Sequence, residues 1–308
     1  MSTPLQARLA SLKTQISTII VGKPAQIDDS LACLLAGGHL LIEDVPGVGK
    51  TTLAHVLAVS LGLKFSRVQF TADLMPSDLV GVSVYERARE AFAFHPGPVF
   101  AQVLLADEIN RAGPKTQSAL LEAMEEQQVT VDGETRPLPH PFFVIATQNP
   151  GDQLGTYPLP ESQLDRFLMC ITLGYPDAKS ERELLAGQDR REAVARLAPV
   201  MTPAELVDAM QEVRKVHVSE PLLDYLQALI AATRSGHWFA EGLSPRAGIG
   251  VLRLARARAL INQRDFVSPD DVQAILPQAI AHRLVPVAGA GRGRREQVRA
   301  MIESVPLP

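Results

Sequence analysis

The sequence has little cysteine, few aromatic residues and no long apolar run. Its two cysteines, Cys33 and Cys170, both lie inside apolar stretches, which favours buried thiols in a reducing compartment over disulfides or a metal site. No apolar run approaches the ~18–20 residues needed to span a bilayer. The N-terminus also lacks a cationic segment followed by an apolar one, so no signal peptide is predicted. We therefore expect a cytoplasmic protein without membrane insertion.

A strong excess of one charge is also missing. The net charge is −4 over 308 residues, and charged residues make up 21% of the chain. This balance does not predict nucleic-acid binding, although it does not exclude a local basic patch. Hydrophobic residues make up 46%, which is enough for a folded chain with a sizeable core.

Strand-length apolar runs alternate with helical patterns over the first 177 residues. Strands are predicted at 39–43, 65–70, 99–106, 142–147 and 167–172. Helices are predicted at 5–20, 25–36, 51–61 and 115–127. Residues 71–100 are rich in Pro and Gly and read as irregular, apart from a short helix at 77–80 and an edge strand at 91–94. The Asp132-Gly133 pair, flanked by alternating residues, predicts a hairpin over 128–138.

Beyond residue 177 the strand pattern disappears. Helices are predicted at 180–196, 203–215, 219–234, 246–263 and 268–282. Ser268-Pro269-Asp270-Asp271 has a capping serine followed by proline in the first turn, which is typical of a helix start. The sequence thus predicts an α/β domain with a parallel sheet over 1–177, followed by an all-helical domain over 178–308.

A glycine-rich turn follows the first predicted strand. Gly49-Lys50-Thr51 matches the end of the phosphate-loop pattern, but Asp44 stands where the pattern has its first glycine. The turn at 46–49 can still direct backbone N–H groups, and the positive end of the next helix, at an anion. The alternative is a plain turn before a helix. The candidate binding residues are Pro46, Gly47, Val48, Gly49, Lys50, Thr51 and Thr52.

Two carboxylates, Asp107 and Glu108, end the apolar run that starts at Val103. Adjacent carboxylates are usually only solvated, but these emerge from a buried strand at the sheet edge where ligands bind. Asp107 is the natural Mg²⁺ partner together with Thr51, and Glu108 can act on water as a general base. Asn149, at the end of the next strand, can orient the same water. This set indicates nucleoside-triphosphate hydrolysis.

Three segments resemble the AAA+ ATPases, and within them the MoxR family. The segments are 40–51, 106–126 and 159–167. The middle one is long and highly specific, and the likeness extends over nearly the whole chain. The resemblance implies an AAA+ core with a helical lid, ATP and Mg²⁺ as cofactors, and a helix insert within 70–84. An acidic residue in this loop is common in the family, which accommodates Asp44.

The resemblance also implies roles for particular residues. Asn149 would be the sensor 1 residue, and Arg166 an arginine finger that acts on the neighbouring subunit's ATP. Arg246 would be the sensor 2 residue on the lid. Val21 and Gly22 would lie beside the adenine. Arg111 stays ambiguous, because it could contact phosphate or a carboxylate of another subunit.

As a function, the resemblance implies a ring oligomer, expected to be a hexamer, with a chaperone-like role in maturation or metal-cofactor insertion of client proteins. The usual partner in the family carries a von Willebrand factor A (VWA) domain. The alternatives are a nucleic-acid motor or loader, a magnesium-chelatase-like subunit, or a nucleotide-dependent switch. The predicted hairpin carries Arg136 beside Asp132 and Glu134, which makes a nucleic-acid partner the weaker hypothesis.

Overall fold

A parallel five-stranded sheet organises the α/β part of the molecule. The computed structural model describes residues 4–150, 155–186, 190–287 and 293–308. Its strands are β1 His39–Glu43, β2 Phe65–Gln69, β3 Gly81–Glu86, β4 Ala91–Pro96, β5 Val103–Asp107, β6 Gln128–Val131, β7 Glu134–Pro137, β8 Phe143–Gln148 and β9 Phe167–Ile171. The order in the main sheet is β2-β5-β8-β1-β9, and all its pairs are parallel. The carboxyl ends of β1 and β5 therefore open on the same edge.

The helices alternate with these strands and then continue alone. They are α1 Pro4–Ile19, α2 Pro24–Leu35, α3 Lys50–Ser60, α4 Pro76–Val80, α5 Pro114–Glu126, α6 Glu161–Leu164, α7 Ala178–Ala186, α8 Arg190–Ala195, α9 Pro203–Lys215, α10 Glu220–Thr233, α11 Pro245–Ile261, α12 Pro269–Ile280 and α13 Arg294–Ser304. None of those in the described parts of the chain is long and apolar enough to cross a bilayer.

The central strands alternate their side chains between two apolar clusters. In β1, Leu40 and Ile42 join a cluster that includes helices α1 to α3 and the helices after residue 200. Leu41 points the other way, into a cluster formed with α5. Burial on both faces is the reason why these strands read as continuous apolar runs. The fold is thus a parallel sheet between helices followed by a helical part, as the sequence predicts.

The helical part packs directly on the α/β part. Helix α11 lies against α2, and α12 lies against β9. Helix α12 begins where predicted, since the Asp271 carboxylate accepts a hydrogen bond from the Ser268 N–H at 2.9 Å. A domain division near residue 177 stays a prediction.

The structure corrects the sequence prediction within 71–100. This stretch contains β3, which pairs with β4 as an antiparallel hairpin. Gly81 starts β3 at φ +97°, and the backbone of His95 and Gly97 fills the space of a side chain there. The strand at 91–94 was predicted and corresponds to β4, whereas β3 was not, because the prolines and glycines around it made the stretch read as irregular.

Two further differences concern where elements begin. The strand predicted from Val99 begins only at Val103, because Pro98–Phe100 forms a 3₁₀ turn. Helix α13 was not predicted, since its sequence is polar and arginine-rich. It is held by the buried side chains of Val298, Met301 and Ile302. Of the helix predicted at 180–196, residues 187–189 lie outside the described parts.

Candidate active site

The loop after β1 adopts a conformation that only glycine takes readily. Gly47 has φ +86° and Gly49 has φ +98°, and open space surrounds both Cα atoms. Glycine is therefore favoured at these two positions by the left-handed backbone, and not because a neighbouring group leaves no room for a side chain. Helix α3 begins at Lys50, immediately after Gly49. Its first N–H groups carry the positive end of the helix dipole toward the loop.

Asp44 turns away from the loop opening. Its carboxylate accepts the Val45 N–H at 2.8 Å and the Gly174 N–H at 2.6 Å, and the residue is 5% exposed. Asp44 therefore ties the loop to the segment after β9. The conflict between a carboxylate and an anion site is resolved by this orientation.

The Lys50 side chain folds back along the same loop. Its ammonium donates hydrogen bonds to the carbonyl oxygens of Asp44 and Val45. Burial lowers the pKa of Lys50, and the negative charges of Asp44, Asp107 and Glu108 oppose that effect. The Lys50 side chain thus lies at the mouth of the loop, where a phosphate-binding lysine has to lie.

Asp107 is held by two neighbours that were not predicted. One carboxylate oxygen accepts the Thr147 hydroxyl at 2.6 Å. The other accepts Nη2 of Arg67 at 2.7 Å and its Nε at 3.2 Å. Thr147 lies on β8 and Arg67 on β2, the strands on either side of β5. The two strands thus position the carboxylate from both sides.

Glu108 has a left-handed backbone, with φ +56° and ψ +50°, which is uncommon for a residue other than glycine. Its N–H donates to the Thr147 hydroxyl at 2.9 Å. Its carboxylate accepts the Gln69 amide at 2.9 Å and pairs with Arg111 at 3.3 Å. The turn at Glu108 therefore directs its side chain toward the end of β2. Gln69 could have been found in the sequence as a polar residue at a strand end.

These side chains line one cavity of about 340 Å³. It is lined by Pro46, Gly47, Gly49, Lys50, Thr51, Thr52, Arg67, Gln69, Asp107, Glu108 and Asn149. A hydroxyl and a carboxylate are the hard oxygen donors that Mg²⁺ prefers, and phosphates and water can complete its shell. Among the described residues no three His, Cys, Asp or Glu form a metal cage.

A second, more apolar cavity of about 350 Å³ lies on the other side of the loop. Val21, Val48, Leu173 and Tyr175 are among its lining residues, and it shares Gly47 with the first cavity. An apolar pocket joined to a polar one is suited to a flat base with a phosphate chain. Gly22 does not line the pocket itself.

Gly22 instead shapes the turn that carries Val21. It has φ +73°, and a side chain there would overlap Ser180 at the start of α7. This close approach places the turn against the segment that closes the apolar cavity. Val21 thus lines the apolar cavity, and Gly22 lies in the turn beside it.

Arg166 and Arg246 line neither of these two cavities. Arg166 directly precedes β9, at the amino-terminal edge of the sheet, whereas the glycine loop follows β1 at the carboxyl edge. Arg166 pairs with Glu125 at 2.6 Å, and Arg246 pairs with the other oxygen of Glu125 at 2.8 Å. Both arginines line a cavity of about 210 Å³ beside Gly38. The structure thus brings the two arginines together and separates both from the loop of their own chain.

Two family models match the chain. Residues 39–169 match the ATPase family associated with various cellular activities (AAA), and residues 231–304 match the AAA lid domain. The first range includes the glycine loop, the two carboxylates, Asn149 and Arg166. The second includes Arg246.

Similar proteins extend over almost the whole chain. YeaC of Bacillus subtilis, described as uncharacterized, is 46% identical over 91% of this chain and 88% of its own length. Chaperone MoxR1 of Mycobacterium tuberculosis is 42% identical over 88% of this chain and 74% of its own length. A crystal structure from Cytophaga hutchinsonii, described provisionally as an ATPase, superimposes with a TM-score of 0.90 at 36% identity, covering 99% of this chain and 96% of that one. The protein therefore belongs to the MoxR family of AAA+ ATPases.

Proposed function

We propose that the protein hydrolyses Mg-ATP at the interfaces between subunits of a ring. The observation that carries this proposal is the separation of Arg166 and Arg246 from the glycine loop of their own chain. The two arginines converge on Glu125 at one sheet edge, while Lys50 and Asp107 lie at the other. A head-to-tail ring would bring the arginine edge of one subunit against the loop of the next.

Within one subunit, the loop residues would bind the nucleotide. Lys50 would hold the β- and γ-phosphates, and Thr51 and Asp107 would hold Mg²⁺, which neutralises developing phosphate charge when bound. Glu108 would polarise the attacking water, and Asn149 would orient it. The apolar cavity at Val21 would take the adenine.

From the neighbouring subunit, Arg166 would stabilise the charge of the transition state. Such an arginine is worth on the order of 10³–10⁵ in rate in related phosphoryl-transfer systems. Arg246 is bound to the same carboxylate as Arg166, so we place its action on the neighbour's nucleotide too. Hydrolysis would then require assembly.

We further propose a chaperone-like action on client proteins. MoxR1 of Mycobacterium tuberculosis, which is 42% identical, is described as a chaperone. Maturation of a client or insertion of its metal cofactor, a VWA-domain partner that selects the client, and a hexameric ring are expectations from the family resemblance. Helix α11, which carries Arg246, could transmit nucleotide-dependent movement to such a partner.

The 128–138 hairpin argues against the nucleic-acid motor. Its arginine, Arg136, pairs with Glu134 at 2.6 Å and lies 4.2 Å from the ring centre of Phe94. This cation is engaged within the protein, and Glu134 offsets its charge. A strand-tracking hairpin would present free cationic side chains to phosphates.

The test is ATP hydrolysis as a function of protein concentration, with light scattering for mass. The wild type and Arg166→Ala are compared, with Arg89→Ala as a control because Arg89 pairs with Glu86 on the exposed β3–β4 turn. We expect the rate per subunit to rise with assembly, and to collapse in Arg166→Ala while ATP still binds. A rate independent of concentration and of Arg166 would overturn the shared-site ring.

A further inference from the structure

Arg67 connects the two carboxylates of the site. Its guanidinium donates two hydrogen bonds to one oxygen of Asp107 and a third, at 3.2 Å, to the side-chain oxygen of Gln69. The amide nitrogen of Gln69 donates in turn to Glu108 at 2.9 Å. One cation on an edge strand is thus linked to Asp107 directly and to Glu108 through a single amide.

We propose that Arg67 competes with the divalent cation of the nucleotide for the same oxygen of Asp107, and so sets the metal affinity of the site. This inference rests on the proposed function, because it takes Asp107 as a metal ligand. It adds Arg67 as a positioning residue. The sequence patterns of the glycine loop and of the two carboxylates did not point to this arginine.

Both oxygens of the Asp107 carboxylate already accept hydrogen bonds. One oxygen is engaged by the buried Thr147 hydroxyl, at 2.6 Å. In the described parts of the chain, the other oxygen accepts two hydrogen bonds from the Arg67 guanidinium. A cation that binds this carboxylate therefore has to displace Arg67 from it, since two positive groups within contact distance of one oxygen repel each other.

Arg67 is able to leave at low cost. Its side chain is 49% exposed, whereas that of Asp107 is 10% exposed, so the arginine is the mobile partner of the pair. A neighbouring cavity of about 460 Å³, lined by Arg67, Thr51, Thr52 and His55 among others, gives the guanidinium room. A partly exposed ion pair is weak enough to be broken by a metal ion.

Displacement of Arg67 would also affect Glu108, because Gln69 contacts both side chains. Gln69 would lose the donor to its side-chain oxygen, and its hold on the Glu108 carboxylate would loosen. The Glu108 carboxylate, which also pairs with Arg111 at 3.3 Å, would then lose its contact with Gln69 only after the metal has reached Asp107. Arg67 would thereby link metal loading to the position of the base.

The test is the affinity of a fluorescent ADP analogue in Mg²⁺ and in EDTA. The dissociation constant in EDTA divided by that in Mg²⁺ isolates the metal contribution, and ADP avoids hydrolysis. We expect Arg67→Met to raise this ratio by about two- to fivefold, as for loss of a partly exposed competing pair. Arg89→Met removes one charge from an exposed pair elsewhere and should leave the ratio unchanged.

Two further measurements identify the oxygen involved. Mn²⁺ titrated into the ADP complex and followed by electron paramagnetic resonance should bind Arg67→Met more tightly by the same factor. In an Asp107→Asn background, Arg67→Met should no longer change the ratio, because the shared partner is gone. Arg67→Gln, which keeps polar contacts without the charge, replaces Arg67→Met if that variant does not fold.

The remaining outcomes overturn the inference. An unchanged ratio in a folded Arg67→Met protein would make Arg67 a structural residue only. A lowered ratio would mean that Arg67 contacts the metal-bound phosphates. If the wild type bound no nucleotide in either condition, the proposed function itself would fail, and the competition with it.

Discussion

Glu125 and Arg246 form a salt bridge of 2.8 Å that joins helix α5 to helix α11 across 121 residues of chain. The second oxygen of Glu125 holds Arg166 at 2.6 Å. The hydrogen bond from Arg246 and the charges of both arginines lower the pKa of Glu125, so it stays a carboxylate at neutral pH. One acidic side chain therefore keeps both guanidinium groups at the same place on the surface.

We predict that Arg246 acts on the nucleotide of a neighbouring subunit. Lys50→Ala and Arg246→Ala proteins should each be nearly inactive alone. A 1:1 mixture should recover about a quarter of the wild-type ATPase rate, because random head-to-tail mixing joins an intact loop to an intact Arg246 at that fraction of interfaces. The measurement is the rate after subunit exchange.

The same mixture made with Arg166→Ala in place of Arg246→Ala provides the matched control. It should recover to a similar extent if both arginines act across the interface. No recovery with Arg246→Ala, beside clear recovery with Arg166→Ala, would place Arg246 on the nucleotide of its own chain.

Glu108→Gln should separate binding from hydrolysis. The amide cannot accept the proton of water, so we expect a loss of at least 10²-fold in rate, with ATP retained and the oligomer kept assembled. Retained nucleotide and mass are measured after gel filtration. Glu122→Gln on the exposed face of α5 is the control. Equal hydrolysis by wild type and Glu108→Gln would remove Glu108 from the role of base.

Gly22→Ala should disturb the turn beside the apolar cavity. The added methyl would meet Ser180, and φ +73° is unfavourable for alanine. We expect a loss on the order of 1–3 kcal/mol in unfolding free energy together with weaker nucleotide binding. Gly113→Ala, at φ −63° in open space, should stay within about 0.5 kcal/mol of wild type. Equal stability of the two variants in urea would contradict this reading.

Asp29 predicts a specific pH dependence of stability. Burial raises its pKa from 3.8 to about 6, against the opposing charge of Arg258. A raised pKa means that the folded state binds the proton more tightly, so this group destabilises the protein increasingly as the pH rises from about 4 to 6. A pKa difference of about 2 corresponds to a cost of up to about 3 kcal/mol above that window.

Asp29→Asn should therefore stabilise the protein at pH 8, and the gain should fade toward pH 4. Urea unfolding at several pH values measures it. Asp28→Asn, at the neighbouring position, removes the ion pair with Lys13 at 2.7 Å and should give no gain at pH 8. A stability difference between Asp29→Asn and wild type that did not vary with pH would contradict the buried carboxylate as its cause.

The local elements of the fold were largely predictable. The strand at 39–43, the glycine turn and the hairpin at 128–138 each depend on patterns within a few residues. Helix starts such as those at Thr202 and Ser268 depend on capping contacts over three residues. Strand β3, and with it the pairing to β4, escaped prediction because Gly81 starts β3 at a backbone angle that the sequence pattern does not signal.

The order of the strands in the sheet determined the contacts between residues that are distant in the sequence. Local sequence determined the glycine loop, Asp107 and Glu108, because a buried strand that ends in polar residues is visible as a pattern along the chain. It could not place Arg67 on Asp107, 40 residues away, since that contact exists only because β2 lies beside β5 in the sheet. Nor could it bring Arg246 to Glu125. Periodicity sets which face of an element is buried, whereas only tertiary packing sets which elements become neighbours.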